Sequence, residues 1–132
     1  NGTTRIHGIR NLQFKECDRI REPMAELRRV YATLPEFRTS CGRPNDPALN
    51  RVIRWSPADD PDEVFIEGRP DGFEGGIEVD GRGDHRVIMM LSILGLRCRK
   101  GLTIRGAEAV AKSYPRWFDD LASLGARLTR NA

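Results

Sequence analysis

The sequence contains no long apolar run, few cysteines and few lysines. Its longest apolar stretch, residues 87–96, is interrupted by Ser92 and Gly95 and is shorter than the roughly 18 residues of a membrane span. The three cysteines (Cys17, Cys41 and Cys98) are odd in number, widely separated and in no CxxC pattern. We therefore expect reduced thiols in a cytoplasmic protein, with no disulfide framework, no zinc site and no membrane partner.

Two further features of the sequence limit the classes of ligand that the protein is expected to bind. Neither GxGxxG nor GxxxxGK[ST] occurs, so the usual nucleotide-binding loops are missing. The net charge of +3 is mild, which fits an anionic small substrate and does not indicate a nucleic-acid partner. The 22 basic residues include only three lysines, Lys15, Lys100 and Lys112. Arginine is a permanently charged fork, whereas lysine is a compact ammonium group whose pKa shifts on burial. Because the chain otherwise uses arginine, we expect that the positions of Lys15 and Lys112 specifically require an ammonium group.

The first third of the chain predicts strands followed by a helix. Residues 1–8 and 9–14 are typical of two short strands, the second with Leu12 and Phe14 on one face. Asp18 is a candidate N-cap for the helix that follows. Apolar residues at spacings of three and four give this helix a buried face of Ile20, Met24, Leu27, Tyr31 and Leu34. Its solvated face is predicted to be Arg21, Glu22, Glu26, Arg28 and Arg29.

The remaining chain alternates further strands and helices. Residues 35–62 form a proline-rich insertion with turn signals at Asn45-Asp46-Pro47 and Ala58-Asp59-Asp60-Pro61 and a short strand within 51–55. Strands follow at 64–67, 76–79 and 102–104. A buried helix runs from Asp84 to about Leu96, a helical piece covers 107–111, and Pro115 opens a last helix that buries Trp117, Phe118, Leu121 and Leu124 and ends at Gly125. The predicted class is α+β, with helices packed against mixed sheets.

Three charged stretches each precede a predicted helix, where unpaired N–H groups favour anions. They are Lys15-Glu16-Cys17-Asp18-Arg19, Asp84-His85-Arg86 and Lys112-Ser113-Tyr114-Pro115. We expect them to meet as one wall of an anion-binding site. The alternative for each is structural: a capping and salt-bridge cluster at 15–19, a structural donor at His85, an ordinary surface lysine at Lys112 and a small neutral filler at Cys17.

Taken together, the three motifs resemble the C-terminal part of the EPSP synthase (3-phosphoshikimate 1-carboxyvinyltransferase) family. Asn11 with Lys15-Glu16-x-Asp18-Arg19, Asp84-His85-Arg86-x-x-Met89 and Lys112-Ser113-Tyr114-Pro115 match the family pattern in order and spacing. The resemblance implies transfer of the enolpyruvyl group of phosphoenolpyruvate to the 5-hydroxyl of shikimate 3-phosphate, without metal or organic cofactor. It further implies a fold of two domains built from βαβαββ repeats, of which residues 1–132 would be a partial second domain.

The resemblance also implies roles for the site residues. Asn11 and Lys15 would bind shikimate 3-phosphate, and Arg19, Arg86 and Lys112 would bind phosphoenolpyruvate. Glu16 would move protons at the enolpyruvyl carbon, with Lys112 as its partner. Asp84 and His85 would line the site and hold its charged groups in place.

The chain also departs from the family. The resemblance implies a first domain and an aspartate upstream of Asn1, which residues 1–132 do not include, so we expect a fragment that is inactive alone and needs the missing N-terminal domain as partner. Cys17 replaces the usual hydroxyl residue, and the 35–62 insertion is longer than the usual link. A non-catalytic anion-binding module derived from this fold is the alternative. The related UDP-N-acetylglucosamine enolpyruvyl transferase fits less well, since it lacks these motifs.

Overall fold

The computed structural model describes residues 1–40, 45–55 and 62–131. Within them lie five strands and three α-helices, interspersed with four 3-10 segments. The strands are β1 (Thr3–His7), β2 (Ile53–Trp55), β3 (Glu63–Glu67), β4 (Ile77–Asp80) and β5 (Leu102–Arg105), and the helices are α1 (Arg21–Tyr31), α2 (His85–Gly95) and α3 (Trp117–Ser123). The 3-10 segments are Arg10–Phe14, Pro35–Ser40, Pro47–Arg51 and Ala107–Lys112. Helices packed with mixed sheets confirm the α+β class.

The strands form two sheets of different character. One is antiparallel with the order β1-β3-β2, in which Thr4 pairs with Ile66 and Ile53 also pairs with Ile66. The other joins β4 and β5 in parallel, with Val79 opposite Ile104. Parallel neighbours need a crossover connection, and here α2 supplies it. This crossover places the start of α2 directly after the carboxyl end of β4.

Helix α1 supplies side chains to both apolar clusters of the molecule. Met24 and Leu27 pack in the first cluster, with residues from the 3-10 segments, β2 and β3. Val30, fully buried, packs in the second cluster with Val87 and Leu91 of α2. An amphipathic helix usually packs its apolar stripe against one partner surface. Helix α1 instead packs against two apolar clusters, one beside the antiparallel sheet and one beside the β4-α2-β5 unit, and it therefore fixes the position of the sheet relative to that unit.

Residues 9–14 do not form the predicted strand. The chain turns after β1 at Gly8, whose φ of +71° is readily adopted only by glycine. The Ile9 N–H then donates to the carbonyl of Asp62, and the Leu12 N–H donates to the carbonyl of Ile9, which closes a 3-10 turn. Phe14 is consequently three-quarters exposed rather than aligned with Leu12.

The predicted solvated face of α1 is also wrong in part. Glu26 and Arg28 are almost fully buried. The Glu26 carboxylate accepts hydrogen bonds from the backbone N–H of Asp80 and from Arg82, whereas Arg28 donates to the carbonyl of Asp46. Charged side chains are tolerated inside a protein when partners satisfy them. The pattern of polar and apolar residues along a helix does not reveal such partners, so it could not predict the burial of these two side chains.

The remaining helices differ from prediction near their ends. Helix α2 is capped by Asp84 as predicted, but it is not buried all round, since Ile93 is about half exposed. Helix α3 begins at Trp117, two residues after Pro115, and Gly125 follows its end. Leu124 is 85% exposed rather than inward. The other predicted strands, including the possible one at 76–79, are confirmed.

The proline-rich segment 35–62 contributes to the core where the structure describes it. Phe37 and Leu49 of its two 3-10 segments are buried, and so is Ile53 of β2, the short strand predicted within 51–55. The turn predicted at 58–61 and the cysteine at position 41 lie outside the described residues. No helix among those described is long and apolar enough to cross a membrane.

Candidate functional site

The candidate site is built around Asp84, the N-cap of α2. The chain enters α2 through Arg82 and Gly83, both in left-handed conformation with φ of 57° and 62°. This turn places the Asp84 side chain inside the molecule with no exposed surface. One of its oxygens, Oδ1, accepts the backbone N–H of Arg86 at 2.9 Å, which satisfies one of the unpaired donors at the helix start.

Arg19 forms a two-point ion pair with Asp84. Its Nε donates to Oδ2 at 2.7 Å and its Nη2 donates to Oδ1 at 3.2 Å. The Arg19 side chain is 14% exposed. Such a two-point pair fixes the plane of the guanidinium relative to the plane of the carboxylate. It therefore joins the segment before α1 to the start of α2, across 65 residues of sequence.

Cys17 contributes a third side-chain contact to the same carboxylate. Its thiol donates to Oδ2 of Asp84, with Sγ 3.4 Å from the oxygen. Burial, the hydrogen bond to Asp84 and the negative charge of that carboxylate raise the pKa of Cys17 to about 12. The group is therefore a neutral thiol at physiological pH and acts as a donor rather than a nucleophile.

The Asp84 carboxylate stays ionised despite its burial. Burial pushes its pKa upward, but the hydrogen bonds from Arg19, from the Arg86 backbone and from Cys17 together outweigh that effect. The pKa of Asp84 consequently lies below its ordinary value, and the same contact raises the pKa of Arg19. The pair is therefore charged on both sides across the physiological range.

Glu16 and His85 lie next to this pair. Glu16 Oε2 is 3.5 Å from His85 Nδ1, close enough for an ion pair if the imidazole is protonated. The two atoms lack hydrogen-bond geometry, however, so the buried Nδ1 has no hydrogen-bond partner among the residues that the structure describes. The Glu16 side chain is 43% exposed. Its carboxylate is therefore accessible from outside while it remains beside an imidazole.

Lys112 contacts the residue that precedes Asp84. It ends the 3-10 segment Ala107–Lys112, and its Nζ donates to the carbonyl of Gly83 at 3.0 Å. Gly83 directly precedes Asp84. The structure thus brings all three charged stretches to the start of α2: residues 16–19 through Asp84 and His85, and Lys112 through Gly83.

The outer cations are open to the surroundings. Lys15 and Arg86 are exposed, and within the described parts of the chain no hydrogen bond or ion pair engages either side chain. Asn11 is exposed on the segment Arg10–Phe14, and the described contacts link that segment to the cluster through the backbone, because the Arg19 N–H donates to the carbonyl of Leu12 at 3.1 Å. The site therefore offers cations that a bound anion can approach.

A metal ion fits this arrangement less well than an anion. Glu16, Asp84 and His85 offer ligand atoms within 4.8 Å of one another. However, both oxygens of Asp84 already accept hydrogen bonds, and Arg19 donates one to each oxygen. A carboxylate held by a guanidinium is not available as a strong metal ligand. The cluster is thus better suited to orient a cationic fork toward an anion.

Two features of the site were not anticipated from the sequence. The first is Cys17, which the sequence predicts to be a small neutral filler and whose thiol in the structure donates to Asp84. The second is a network behind the site, in which buried Glu26 bonds Arg82 of the turn into α2, Arg29 of α1 and the Asp80 backbone. No sequence signal indicates that network, since Glu26 and Arg82 are 56 residues apart.

Comparison with known proteins gives a consistent result. The family model described as EPSP synthase (3-phosphoshikimate 1-carboxyvinyltransferase) matches residues 1–121. Curated relatives named 3-phosphoshikimate 1-carboxyvinyltransferase include those of Deinococcus radiodurans (36% identical over 126 residues, 96% of this chain) and Clostridium acetobutylicum (35% over 124 residues, 94% of this chain). A third, from Halobacterium salinarum, is 34% identical over 126 residues. The chain spans about a quarter of each relative's length, 23% or 24%.

Proposed function

The chain belongs to the EPSP synthase family, and we propose that it forms one wall of the active site of an enolpyruvyl transferase. The reaction moves the enolpyruvyl group of phosphoenolpyruvate to the 5-hydroxyl of shikimate 3-phosphate and releases phosphate. The single observation that supports this most is the convergence of the three charged stretches at the start of α2, where Arg19 contacts Asp84, Glu16 lies beside His85 and Lys112 contacts Gly83. Since the chain spans only about a quarter of its relatives, the proposal concerns the longer protein that contains it.

The substrates demand several fixed cations. Each of them carries one phosphate and one carboxylate group, so that four anionic groups meet in one site. Guanidinium forks bind such groups at two points, and ammonium groups bind them as point charges. We assign phosphoenolpyruvate to Arg19, Arg86 and Lys112. Arg19 is held in one orientation by Asp84, while the exposed side chain of Arg86 is free to follow the ligand.

Shikimate 3-phosphate is assigned to Lys15 and Asn11. Lys15 and Asn11 are both exposed, and neither side chain is engaged within the described residues. An ammonium group suits the 3-phosphate, and an amide suits hydroxyl groups of the ring. The two residues lie on the segment that runs toward Glu16, so that a substrate bound there places its ring near the proton-transfer groups.

Glu16 is assigned the proton chemistry at the enolpyruvyl group. The 5-hydroxyl oxygen bonds to C2 of phosphoenolpyruvate, the hydroxyl loses its proton, and C3 gains one, which gives a tetrahedral intermediate. The bond from C2 to the phosphate oxygen then breaks, and C3 returns a proton to restore the double bond. Glu16 is accessible and lies beside His85, which supports a role as the group that gives and takes the C3 proton, with Lys112 as its partner.

The remaining parts of the site lie outside residues 1–132. The family implies a first domain that closes the other side of the cleft, and an aspartate that precedes Asn1 and removes the hydroxyl proton. We therefore expect residues 1–132 alone to be inactive. Asp84 and His85 line this wall and orient Arg19 and Glu16 rather than contacting the reacting atoms.

The test is phosphate release from phosphoenolpyruvate and shikimate 3-phosphate by the full-length protein. Glu16→Gln should reduce kcat by at least about a hundredfold, because general acid–base catalysis contributes that much, while shikimate 3-phosphate still binds. Glu78→Gln is the matched control, since Glu78 is an exposed carboxylate on β4. A wild-type protein that binds both ligands without turnover would instead support the alternative, a non-catalytic anion-binding module.

A further inference from the structure

We propose that Cys17 is a positioning residue: its thiol, acting through Asp84, fixes the orientation of the Arg19 guanidinium. The proposal rests on the proposed function only in naming the anion that Arg19 receives, phosphoenolpyruvate. Its structural part concerns three side chains that lie in contact.

The hydrogen bonds to Asp84 are evenly distributed over its two oxygens. Oδ1 accepts from Arg19 Nη2 and from the Arg86 backbone N–H. Oδ2 accepts from Arg19 Nε and from Cys17 Sγ. A carboxylate offers about two lone-pair sites on each oxygen. The thiol therefore occupies the last acceptor site of a side chain with no exposed surface.

Removal of the thiol donor would leave that acceptor site unfilled. A buried acceptor without a partner is unfavourable, and the carboxylate relieves this by rotating or by admitting water. Either response moves Oδ1 and Oδ2 relative to the start of α2. Because both oxygens bind Arg19, the guanidinium moves with them. Cys17 thereby restricts the orientation of a group that it does not itself contact through a hydrogen bond.

The orientation of Arg19 matters because part of its fork remains free. The guanidinium carries five N–H groups, and Asp84 engages two of them. No acceptor in the described part of the chain engages the other three. The positive charge is largely offset by Asp84, so Arg19 recognises an anion mainly through the direction of these N–H groups. Two-point binding of a carboxylate or phosphate depends strongly on that direction.

The second described cysteine provides a matched control. Cys98 is also buried, and its thiol donates to the carbonyl of Leu94 at 3.5 Å, one turn back along the end of α2. Its contacts are with the apolar cluster around Val87 and Leu91. Replacement of Cys98 by alanine removes the same atoms and the same kind of donor from a buried position, without contact with Asp84 or Arg19.

The experiment compares Cys17→Ser, Cys17→Ala and Cys98→Ala in the full-length protein with two measurements. The first is the hydrogen-exchange rate of the Arg19 Nε–H without ligand, followed by NMR and assigned with Arg19→Lys. The second is the KM for phosphoenolpyruvate, measured together with the KM for shikimate 3-phosphate and kcat.

We expect Cys17→Ala to raise the exchange rate and the phosphoenolpyruvate KM about fivefold each, the size expected for one lost weak hydrogen bond. Cys17→Ser, which keeps a donor, and Cys98→Ala should leave both near wild type.

Several results would overturn the proposal. An unchanged exchange rate in Cys17→Ala would do so, and so would an unchanged phosphoenolpyruvate KM in an active Cys17→Ala enzyme. Equal effects of Cys98→Ala would show general loosening of the fold rather than positioning. If the wild-type protein does not turn over the two substrates, the proposed function fails, whereas the exchange measurement still decides whether Cys17 positions Arg19.

Discussion

The Arg19 guanidinium lies against the Asp84 carboxylate with both ends of its fork engaged, at 2.7 and 3.2 Å. This pair joins the segment before α1 to the N-cap of α2. Both partners are largely or fully removed from solvent. The structure thus uses one buried carboxylate for two tasks, since Asp84 caps α2 and also orients the Arg19 guanidinium.

Asp84→Asn tests the contribution of this pair to stability. The variant leaves the Arg19 charge largely buried without its counter-ion, and breaking a buried pair costs about 3 kcal/mol. We expect a marked loss in the thermal unfolding temperature of the full-length protein. Asp71→Asn, a change at an exposed carboxylate, is the control and should have little effect. Equal behaviour of the two variants would contradict a buried ion pair at Asp84.

The pH dependence of stability has a definite sign at Asp84. Its pKa in the folded state lies below the ordinary value of an aspartate, chiefly because the hydrogen bonds from Arg19, the Arg86 backbone and Cys17 outweigh the effect of burial, so the unfolded chain takes up the proton first as the pH falls. The ionised carboxylate therefore contributes stability that is fully present above about pH 4 and is lost as the pH falls through the folded pKa. Thermal unfolding measured from neutral to acid pH should show the gap between wild type and Asp84→Asn narrowing on acidification. A gap that widens would contradict this assignment.

Cys17 should react slowly with alkylating reagents. The thiolate is the reactive form, and the pKa of Cys17 is raised to about 12. Burial is the largest cause and the hydrogen bond to Asp84 the next. Asp84→Asn removes the second cause and the negative charge, so it should accelerate alkylation of Cys17 at mildly alkaline pH. Peptide mapping by mass spectrometry would follow each cysteine separately.

Cys98 is the internal control for that measurement. Burial alone raises its pKa to about 11, and it does not contact Asp84. Its alkylation rate should be the same in the wild-type protein and in Asp84→Asn. Acceleration at both cysteines would indicate loosening of the whole fold instead of a specific effect on Cys17.

Glu26→Gln should destabilise the turn into α2 more than Glu22→Gln does. Both glutamates pair with Arg82, but Glu26 is 1% exposed and Glu22 is 35% exposed. Glu26→Gln removes a fully buried charge and leaves Arg82 without it, which costs up to about 3 kcal/mol, whereas the pair of Arg82 with Glu22, in which both side chains are about a third exposed, contributes at most about 1 kcal/mol. Thermal unfolding of the two variants in the full-length protein would rank them. The reverse order would show that the network behind the site is not a source of stability.

Lys15→Ala and Arg86→Ala should separate the two substrates. If the assignments are right, Lys15→Ala raises the KM for shikimate 3-phosphate and Arg86→Ala raises the KM for phosphoenolpyruvate, each at least about tenfold for one lost charge-assisted contact. Arg127→Ala, at an exposed residue near the end of the chain, is the control. Variants that raise both KM values equally would contradict the division of the site into two halves.

Local chemistry explains why much of the fold was predictable. Asp84 before an apolar run predicts the N-cap of α2, and it is there. The segment 9–14 could not be predicted in the same way, because its turn depends on a hydrogen bond from Ile9 to Asp62, far away in sequence. The burial of Glu26 and Arg28 follows from partners that only the folded chain brings near.

The sequence predicts which charged stretches meet at the candidate site, but it does not predict the hydrogen bonds between their side chains. The order and spacing of the charged stretches predict that they meet at one place, and the structure brings Arg19, Asp84 and Lys112 to the start of α2. That this place binds an anion stays a prediction. That Arg19 pairs with Asp84, and that Cys17 completes the same carboxylate, are results of packing between distant elements. Their catalytic and binding roles stay predictions.

The most direct test follows the proton at C3 of the enolpyruvyl group. The full-length protein is incubated with phosphoenolpyruvate and shikimate 3-phosphate in D₂O, and the product is examined by NMR for deuterium in its vinyl methylene. Wild type should form the enolpyruvyl product with deuterium at that carbon, and Glu16→Gln should form neither product nor label at a comparable rate. Binding of both substrates by the wild type with no product and no deuterium at C3 would contradict the assignment of this site to enolpyruvyl transfer.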